Sequence, residues 1–366
     1  MNAAARATPL GLGIIGCGGA AVDVVRAVAT LSSVRVVGVH DRAVDRANEL
    51  AHETGATAHA TRRALLADPR VDAVYVALPH DLLVAASSAA LRAGRHVLVE
   101  KPVATTLAGI GRLRADADTA HRSVGVMFEL RHAGAAEVAA TLVRGGALGR
   151  MQAIRIRTLI DKPPTYWASG PTGRVADPWR ASRRRAGGGV VLMNAIHQLD
   201  VVRYVTGLEV TSVAAEIATT VQGVEVEDAA AAALRFSGGA MGSLVAAAHA
   251  LGVTRGETIE IDGADGSLVI PDPYGAPLPV RVYLRRPWRD LAAGEWLQLT
   301  TESTDPWAAA IESFAAAVNA GTSPVPGIAD AEAALATVLA IYRSARTGRR
   351  IAVHHHDRSN EEQSDV

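Results

Sequence analysis

An α/β chain in two parts is predicted: a doubly wound parallel sheet, followed by an α+β part on an open-faced, mostly antiparallel sheet. Three observations carry this reading. Up to about residue 130, continuous apolar runs alternate with helical stretches, the pattern of strands buried on both faces. From about residue 150, β-rich runs follow one another with few helices between them, alternating in polarity and broken by turn glycines. At 366 residues, the chain is also longer than one typical small core requires.

The opening stretch "LGLGIIGCGGAAVDVVRAVATL" (10–31) reads as a buried strand, a glycine turn and a helix starting near Ala20. "VRVVGVHDR" (34–42) is a second apolar run ending in an acid. "AVDRANELAHETG" is a helix closed by Gly55, a residue suited to the left-handed helix end. "VDAVYVALP" (71–79) is a strand stopped by proline, "LLVAASSAALRAG" a helix stopped by Gly94, and "RHVLVEKP" a further strand. The rhythm changes after "SVGVMFEL" (123–130).

The second part supplies "MQAIRIRTLI", "EVTSVAAEIATTV", "EDAAAAALRFS", "AMGSLVAAAHA", "ETIEIDG", "GSLVI" and "VRVYLRR" as strands. The helix "GGVVLMNAIHQLDVVRYVTG" (188–207) stands among them, and "PWAAAIESFAAAVNAG" and "ADAEAALATVLAIYRSARTG" close the chain. The predicted domains are residues 8–130 and 131–350, with a polar, disordered tail at 354–366.

Composition narrows the function. The formal charge is +0, which gives no footprint for nucleic acid or an anionic membrane surface. Cys17 is the single cysteine, so neither an internal disulfide nor a cysteine-built zinc site is possible. No apolar run is long enough for a membrane span, and the N-terminal stretch, broken by Pro9 and five glycines, makes a poor signal peptide. A cytoplasmic location is the expectation. The three histidines at 354–356 sit in a polar tail and do not make a preformed metal site; no metal is expected.

"GCGGAA" (16–21) follows a strand, opens a helix and fits G-x-G-x-x-A, the dinucleotide fingerprint with Ala21 at its third small position. Gly16 permits the tight turn, and Gly18 lets a pyrophosphate approach the amides at the helix start. Asp41 ends the next strand at the distance where an acid bonds the ribose 2′-hydroxyl of NAD. Arg42 beside it suits a 2′-phosphate or an adenine face, so NAD leads and NADP stays open. Asp41 also fits a plain turn or helix-capping role.

"HVLVEKPVAT" (96–105) holds one of only two lysines, Lys101 and Lys162, in a chain with 35 arginines. Guanidinium stays charged at any ordinary pH, so a retained lysine marks a place where a compact, proton-exchanging ammonium is needed. With "VDAVYVALP", "AALRAGRHVLVEKPVATTLAGIGRL", "GGGVVLMNAIHQLDVVRYVTG" and the ending "AIYRSARTGRRIAV", the chain resembles the glucose–fructose oxidoreductase / inositol dehydrogenase (Gfo/Idh/MocA) family from residue 10 to about 353. The resemblance implies a Rossmann domain and an open-faced α/β domain whose sheet builds homodimers or homotetramers. It also implies NAD(P)-dependent oxidation or reduction of a secondary alcohol on a sugar, cyclitol or related polyol.

The chemistry suits the residues that carry the resemblance. His197, with an ordinary pKa near ~6.5, can take the hydroxyl proton at neutral pH. Lys101 can donate to the same oxygen and stabilise its developing charge. A surface lysine and a packed core histidine are the plainer readings of the two. Asp200, one turn on, would orient the imidazole or serve packing. The candidate cofactor contacts are Gly16, Cys17, Gly18, Gly19, Ala20, Asp41, Arg42, Leu78, Pro79, Glu100 and Lys101. Two positions depart from the family pattern. Relatives carry an acid four residues before the histidine, where this chain has Met193, with Asn194 next to it as a substrate hydrogen-bonding group; and Leu83 stands where relatives have a histidine.

The irregular segment "DKPPTYWASGPTGRVADPWRASRRRAGGG" (161–189) is of a length usually reserved for function. Its Tyr166, Trp167 and Trp179, whose faces could pack on a sugar ring, and Arg180, with Arg131 and His132 nearer the first domain, are the candidate substrate residues. Lys162 and the run Arg183, Arg184 and Arg185 are weaker candidates, and each aromatic also suits simple anchoring of the loop. Four readings of function remain open at this point. They are a sugar or cyclitol dehydrogenase, a nucleotide-ketosugar reductase or cyclic dihydrodiol dehydrogenase, an NAD-dependent glycosidase, and a dinucleotide-sensing regulator.

Overall fold

The computed structural model describes residues 9–274, 277–301 and 304–354. The predicted tail lies outside these except for its first residue, His354, so two of the three consecutive histidines are also outside. Six strands form the first sheet: β1 (Leu10–Ile15), β2 (Val34–His40), β3 (Thr57–Ala58), β4 (Ala73–Val76), β5 (His96–Glu100) and β6 (Val124–Met127). All pair in parallel, in the order β3-β2-β1-β4-β5-β6. Every residue of β1 and β4 is buried, because helices cover both faces. The order reverses between β1 and β4, and this switch point opens the crevice where such sheets bind ligands.

Nine strands form the second sheet: β7 (Met151–Leu159), β8 (Val210–Ala218), β9 (Ala229–Phe236), β10 (Met241–Ala247), β11 (Glu257–Gly263), β12 (Gly266–Ile270), β13 (Val280–Leu284), β14 (Trp296–Leu299) and β15 (Ile351–Ala352). Their order is β14-β13-β12-β11-β7-β10-β9-β8-β15, and only the β7–β10 pair is parallel. Burial alternates along β9 from its second residue on, so one face meets the core and the other does not. The helices Ile196–Thr206 and Ile328–Thr347 contribute Val201, Val202, Leu335 and Ile341 to the same core as Leu234, Leu244, Ile259 and Ile261 of the sheet.

The helix Pro306–Ala320, late in the chain, returns to the first sheet. Its Ala310, Ile311, Phe314 and Ala315 pack with Leu10, Leu12 and Ile14. Thus the first core is closed by a segment from beyond residue 300. No helix among the described residues is long and apolar enough to cross a membrane.

Candidate active site

One cleft of about 1730 Å³ runs from the glycine turn to the helix that carries His197. Its volume exceeds the ~300–1,000 Å³ of ordinary small-ligand pockets. The C-terminal ends of β1, β2, β4 and β5 line one end through Gly16, Asp41, Pro79 and Lys101.

Gly16 has φ 95°, and a Cβ there would lie 2.2 Å from the carbonyl oxygen of Ala77. Only glycine fits, and the turn delivers the chain into the helix Gly19–Val28, whose start has no side-chain cap. These free amides and the small side chains around them fit a pyrophosphate. Gly18, Gly19, Ala20, Arg42, Leu78 and Glu100 line the same cleft. Cys17 does not. Its side chain is buried in the core and its thiol is pushed up to about 12, first by burial and then by Asp41. Its contribution is a backbone amide that donates to Asp41 Oδ2 at 2.8 Å.

Asp41 is held from several sides. Oδ1 accepts from the Ala43 amide at 2.7 Å and from Arg46 at 2.8 Å. Burial pushes its pKa up, but the two amides and Arg46 outweigh this and hold it below the ordinary value. Arg42 reaches across to Asp177 at 2.8 Å. Arg174 donates to the carbonyl of Cys17 at 3.0 Å and pairs with Glu49 at 2.9 Å. The irregular segment therefore does more than its expected substrate role, because its part around 172–177 docks beside the glycine turn. Asp41→Ala is expected to weaken NAD about ten- to a hundredfold, the worth of a charge-assisted hydrogen bond, with a smaller effect on NADP. Fluorescence titration with both reduced cofactors checks this, and an unchanged preference would remove Asp41 from ribose recognition.

At the other end of the cleft, Lys101 Nζ donates to the carbonyl of Met193 at 2.7 Å. That carbonyl belongs to a π-helical turn, Val191–Ala195, where the sequence predicts plain helix, and the turn runs straight into Ile196–Thr206. A π turn loosens the backbone ladder, and such turns recur at functional sites. The helix entry is anchored by buried Glu227, which accepts from the amides of Gly189 at 2.7 Å and Val191 at 3.0 Å. A Cβ on Gly189 would lie 1.7 Å from the carbonyl oxygen of Glu227, which explains the glycine run before the helix. His197 follows one turn later, buried but lining the cleft. Burial, then the Lys101 charge, holds its imidazole well below the ordinary value. Lys101 and His197, from different parts of the chain, thus face one cleft.

Asn194 accepts a hydrogen bond from Lys162 and lines the cleft with it. Lys162 Nζ also lies 3.9 Å from the centre of the Tyr166 ring, and burial is the main force depressing its pKa. Trp179 and Arg180 line the cleft, with the guanidinium 4.4 Å from the Trp179 ring centre. Trp167 lies elsewhere than expected. It is buried edge-on to Tyr166 at 5.3 Å, because the short helix Thr165–Ser169 turns Tyr166, its neighbour, toward the cleft.

Arg131 is also corrected: it is not a cleft residue but a buried one. Its guanidinium grips Asp200 at 2.5 and 2.6 Å and Asp330 at 3.0 Å, since a guanidinium out of water requires carboxylate partners. This claims Asp200, which therefore does not orient the imidazole. His132 likewise does not line the cleft.

Sequence reasoning missed His80, Glu129 and Glu257. His80 Nδ1 pairs with the Ala186 carbonyl at 2.7 Å, its ring meets Trp179 edge-on, and burial lowers its pKa to about 3. It is therefore neutral, with Nδ1–H donated and Nε2 left as an acceptor. The signal lay in its place immediately after "ALP". Among the described residues, no group of three or more His, Cys, Asp or Glu side chains gathers as a metal site.

Two family models match this chain. Residues 10–128 match "Oxidoreductase family, NAD-binding Rossmann fold", and residues 137–269 match the GFO/IDH/MocA C-terminal domain. The chain belongs to the Gfo/Idh/MocA oxidoreductase family. Among its relatives, 1,5-anhydro-D-fructose reductase of Ensifer adhaerens is 30% identical over 340 residues, 92% of this chain and 96% of that one. Levoglucosan dehydrogenase of Pseudarthrobacter phenanthrenivorans is 30% identical over 233 residues, 57% of each chain. The fold matches a solved levoglucosan dehydrogenase in complex with NADH, with TM-score 0.84 and 24% identity over 95% of this chain and 100% of that one. The Gfo/Idh/MocA assignment accounts for both sheets and for the cleft at the switch point of the first.

Proposed function

We propose that this chain is an NAD-dependent dehydrogenase or reductase acting on a secondary alcohol of a sugar, cyclitol or related polyol, with Lys101 and His197 as its catalytic pair. The supporting observation is that an ammonium and an imidazole from the two parts of the chain line one cleft, which also contains the glycine turn and Asp41. NAD, when bound, supplies the hydride acceptor, and NADP is the alternative cofactor. Gly16, Gly18, Gly19 and Asp41 would hold it, and Glu100 and Lys101 would flank its reactive end. Lys101 donates to the substrate oxygen and stabilises negative charge there. His197 exchanges the hydroxyl proton at Nε2. Asn194, Trp179 and Arg180 hold the ring, offering hydrogen bonds and an apolar face. The names of two relatives, 1,5-anhydro-D-fructose reductase and levoglucosan dehydrogenase, support the same substrate class.

The test is an absorbance screen at 340 nm with polyols, cyclitols and ketosugars against both cofactors. Turnover of at least one polyol or ketosugar is expected. Release of phenol from an aryl glycoside without net cofactor reduction would instead indicate glycoside cleavage.

A second reading of the substrate rests on Lys162 and Arg180. Both are half-buried in the cleft and, among the described residues, neither is in an ion pair. We infer from this that the ring substrate carries a carboxylate. Lys162→Met is then expected to raise KM for uronates or cyclic hydroxy acids at least tenfold while sparing neutral polyols. Equal effects on both classes would overturn the acidic-substrate reading. We further propose a homo-oligomer built through the exposed face of the second sheet, where Ile217, Met241 and Val245 are exposed.

A further inference from the structure

His197 has Met193, which cannot ionise, four residues before it, and Asp200, one turn on, is occupied by Arg131. Yet its Nδ1 is buried with no hydrogen-bond partner, while the ring lines the cleft. One carboxyl faces that nitrogen. Glu129 Oε2, on the short 3-10 turn Glu129–His132 after β6, lies 3.6 Å from His197 Nδ1. Both side chains are about 6% exposed, so water does not compete for the contact. Phe128, the residue before it, meets the imidazole edge-on at 5.9 Å and fixes the ring against this wall.

We propose that Glu129 is the acid partner of His197, forming with it a one-proton relay that positions and charges the catalytic imidazole. The proposal rests on the assignment of His197 as proton carrier. In carbonyl reduction, His197 Nε2–H passes its proton to the oxygen as the carbon gains hydride. In the same step the Glu129 carboxyl proton moves to Nδ1, so that no imidazolate forms, leaving a Glu129 carboxylate that accepts from Nδ1–H and a lone pair on Nε2. Alcohol oxidation runs these transfers in reverse, ending with the proton on Glu129.

The electrostatics set the pH range of this relay. Burial is the main force raising Glu129, to about 8; Glu100 and Asp200 add to it and Lys101 opposes it, with Tyr75 and Tyr274 within its electrostatic reach. At neutral pH the pair therefore carries its proton on Glu129 beside a neutral imidazole, the form loaded for reduction. Oxidation needs the unloaded form and rises as pH passes through about 8.

The test is histidine-selective 15N NMR on the full chain, followed across pH, for wild type, Glu129→Gln and Glu129→Gln/Met193→Asp. The His197 Nδ1 signal of wild type is expected to titrate with a midpoint near 8. Glu129→Gln should abolish that step, keep NADH affinity within twofold, and lower oxidation of the fastest polyol in the screen about 10²-fold. Placing an acid at position 193, one turn before His197, should recover at least tenfold of the lost rate, which a merely structural role for Glu129 does not predict. A wild-type Nδ1 signal indifferent to pH between 6 and 10 overturns the relay, even where the variant fails to fold. So does a fully active Glu129→Gln. His197→Ala separates the two levels: full activity there sinks the catalytic pair itself, whereas an inactive His197→Ala beside an active Glu129→Gln sinks only the relay.

Discussion

Lys101→Arg is expected to lower turnover about 10²- to 10³-fold while NADH affinity stays near wild type. The ammonium sits just beyond the end of β5, anchored on the Met193 carbonyl and lining the cleft, where its other hydrogens can reach a substrate oxygen. A guanidinium is planar and wider, spreads its charge over three nitrogens and does not release a proton. It cannot hold the Met193 carbonyl at 2.7 Å and also present a compact donor to the cleft. Because the nucleotide end is built from Gly16, Gly18 and Asp41, cofactor binding should be spared. NADH fluorescence titration and initial rates at 340 nm separate the two effects. A Lys101→Arg enzyme with wild-type turnover would take the lysine out of the reaction.

The first sheet was legible because its strands are buried on both faces, so each shows as an unbroken apolar run between turn residues. β3, β14 and β15 were not: they have two, four and two residues, too few for a period to show. The lysine was legible for a compositional reason, as one of two survivors among arginines. Arg131 was misplaced because its meaning lies in Asp200 and Asp330, acids 69 and 199 residues away that no local pattern connects to it. The docking of the irregular segment escaped for the same reason, since Arg42 and Asp177 are 135 residues apart. Glu129 is one of 37 acids, on a turn of four residues. No local pattern connects it to His197, 68 residues further on. Asn194 was readable as a hydrogen-bonding group, but its partner, Lys162, needed the coordinates.

Arg131→Met is expected to destabilise the fold by about 3–5 kcal/mol, the cost of removing one member of a buried ion pair. Arg203 still reaches Asp330 and attracts Asp200 through space, but Asp200, 1% exposed, loses the guanidinium that hydrogen-bonds it. The size of the loss should depend on pH, and the sign follows from Asp200. With Arg131 present its pKa already stands at about 6, because burial outweighs the attraction of the guanidinium. Without Arg131 the folded-state value rises further above the ~3.9 of an unfolded aspartate. A carboxyl raised in this way favours the fold while protonated, and that contribution is lost as pH climbs through the folded-state value. Urea unfolding of Arg131→Met should therefore show a larger deficit against wild type at pH 8 than at pH 5. Replacing both partners, as Arg131→Met/Asp200→Leu, should recover much of the stability, since it removes the stranded charge along with its counter-ion. A deficit below ~1 kcal/mol, or one equal at both pH values, would show that Asp200 finds another partner or water, and that the ion cluster does not hold the His197 helix against β6.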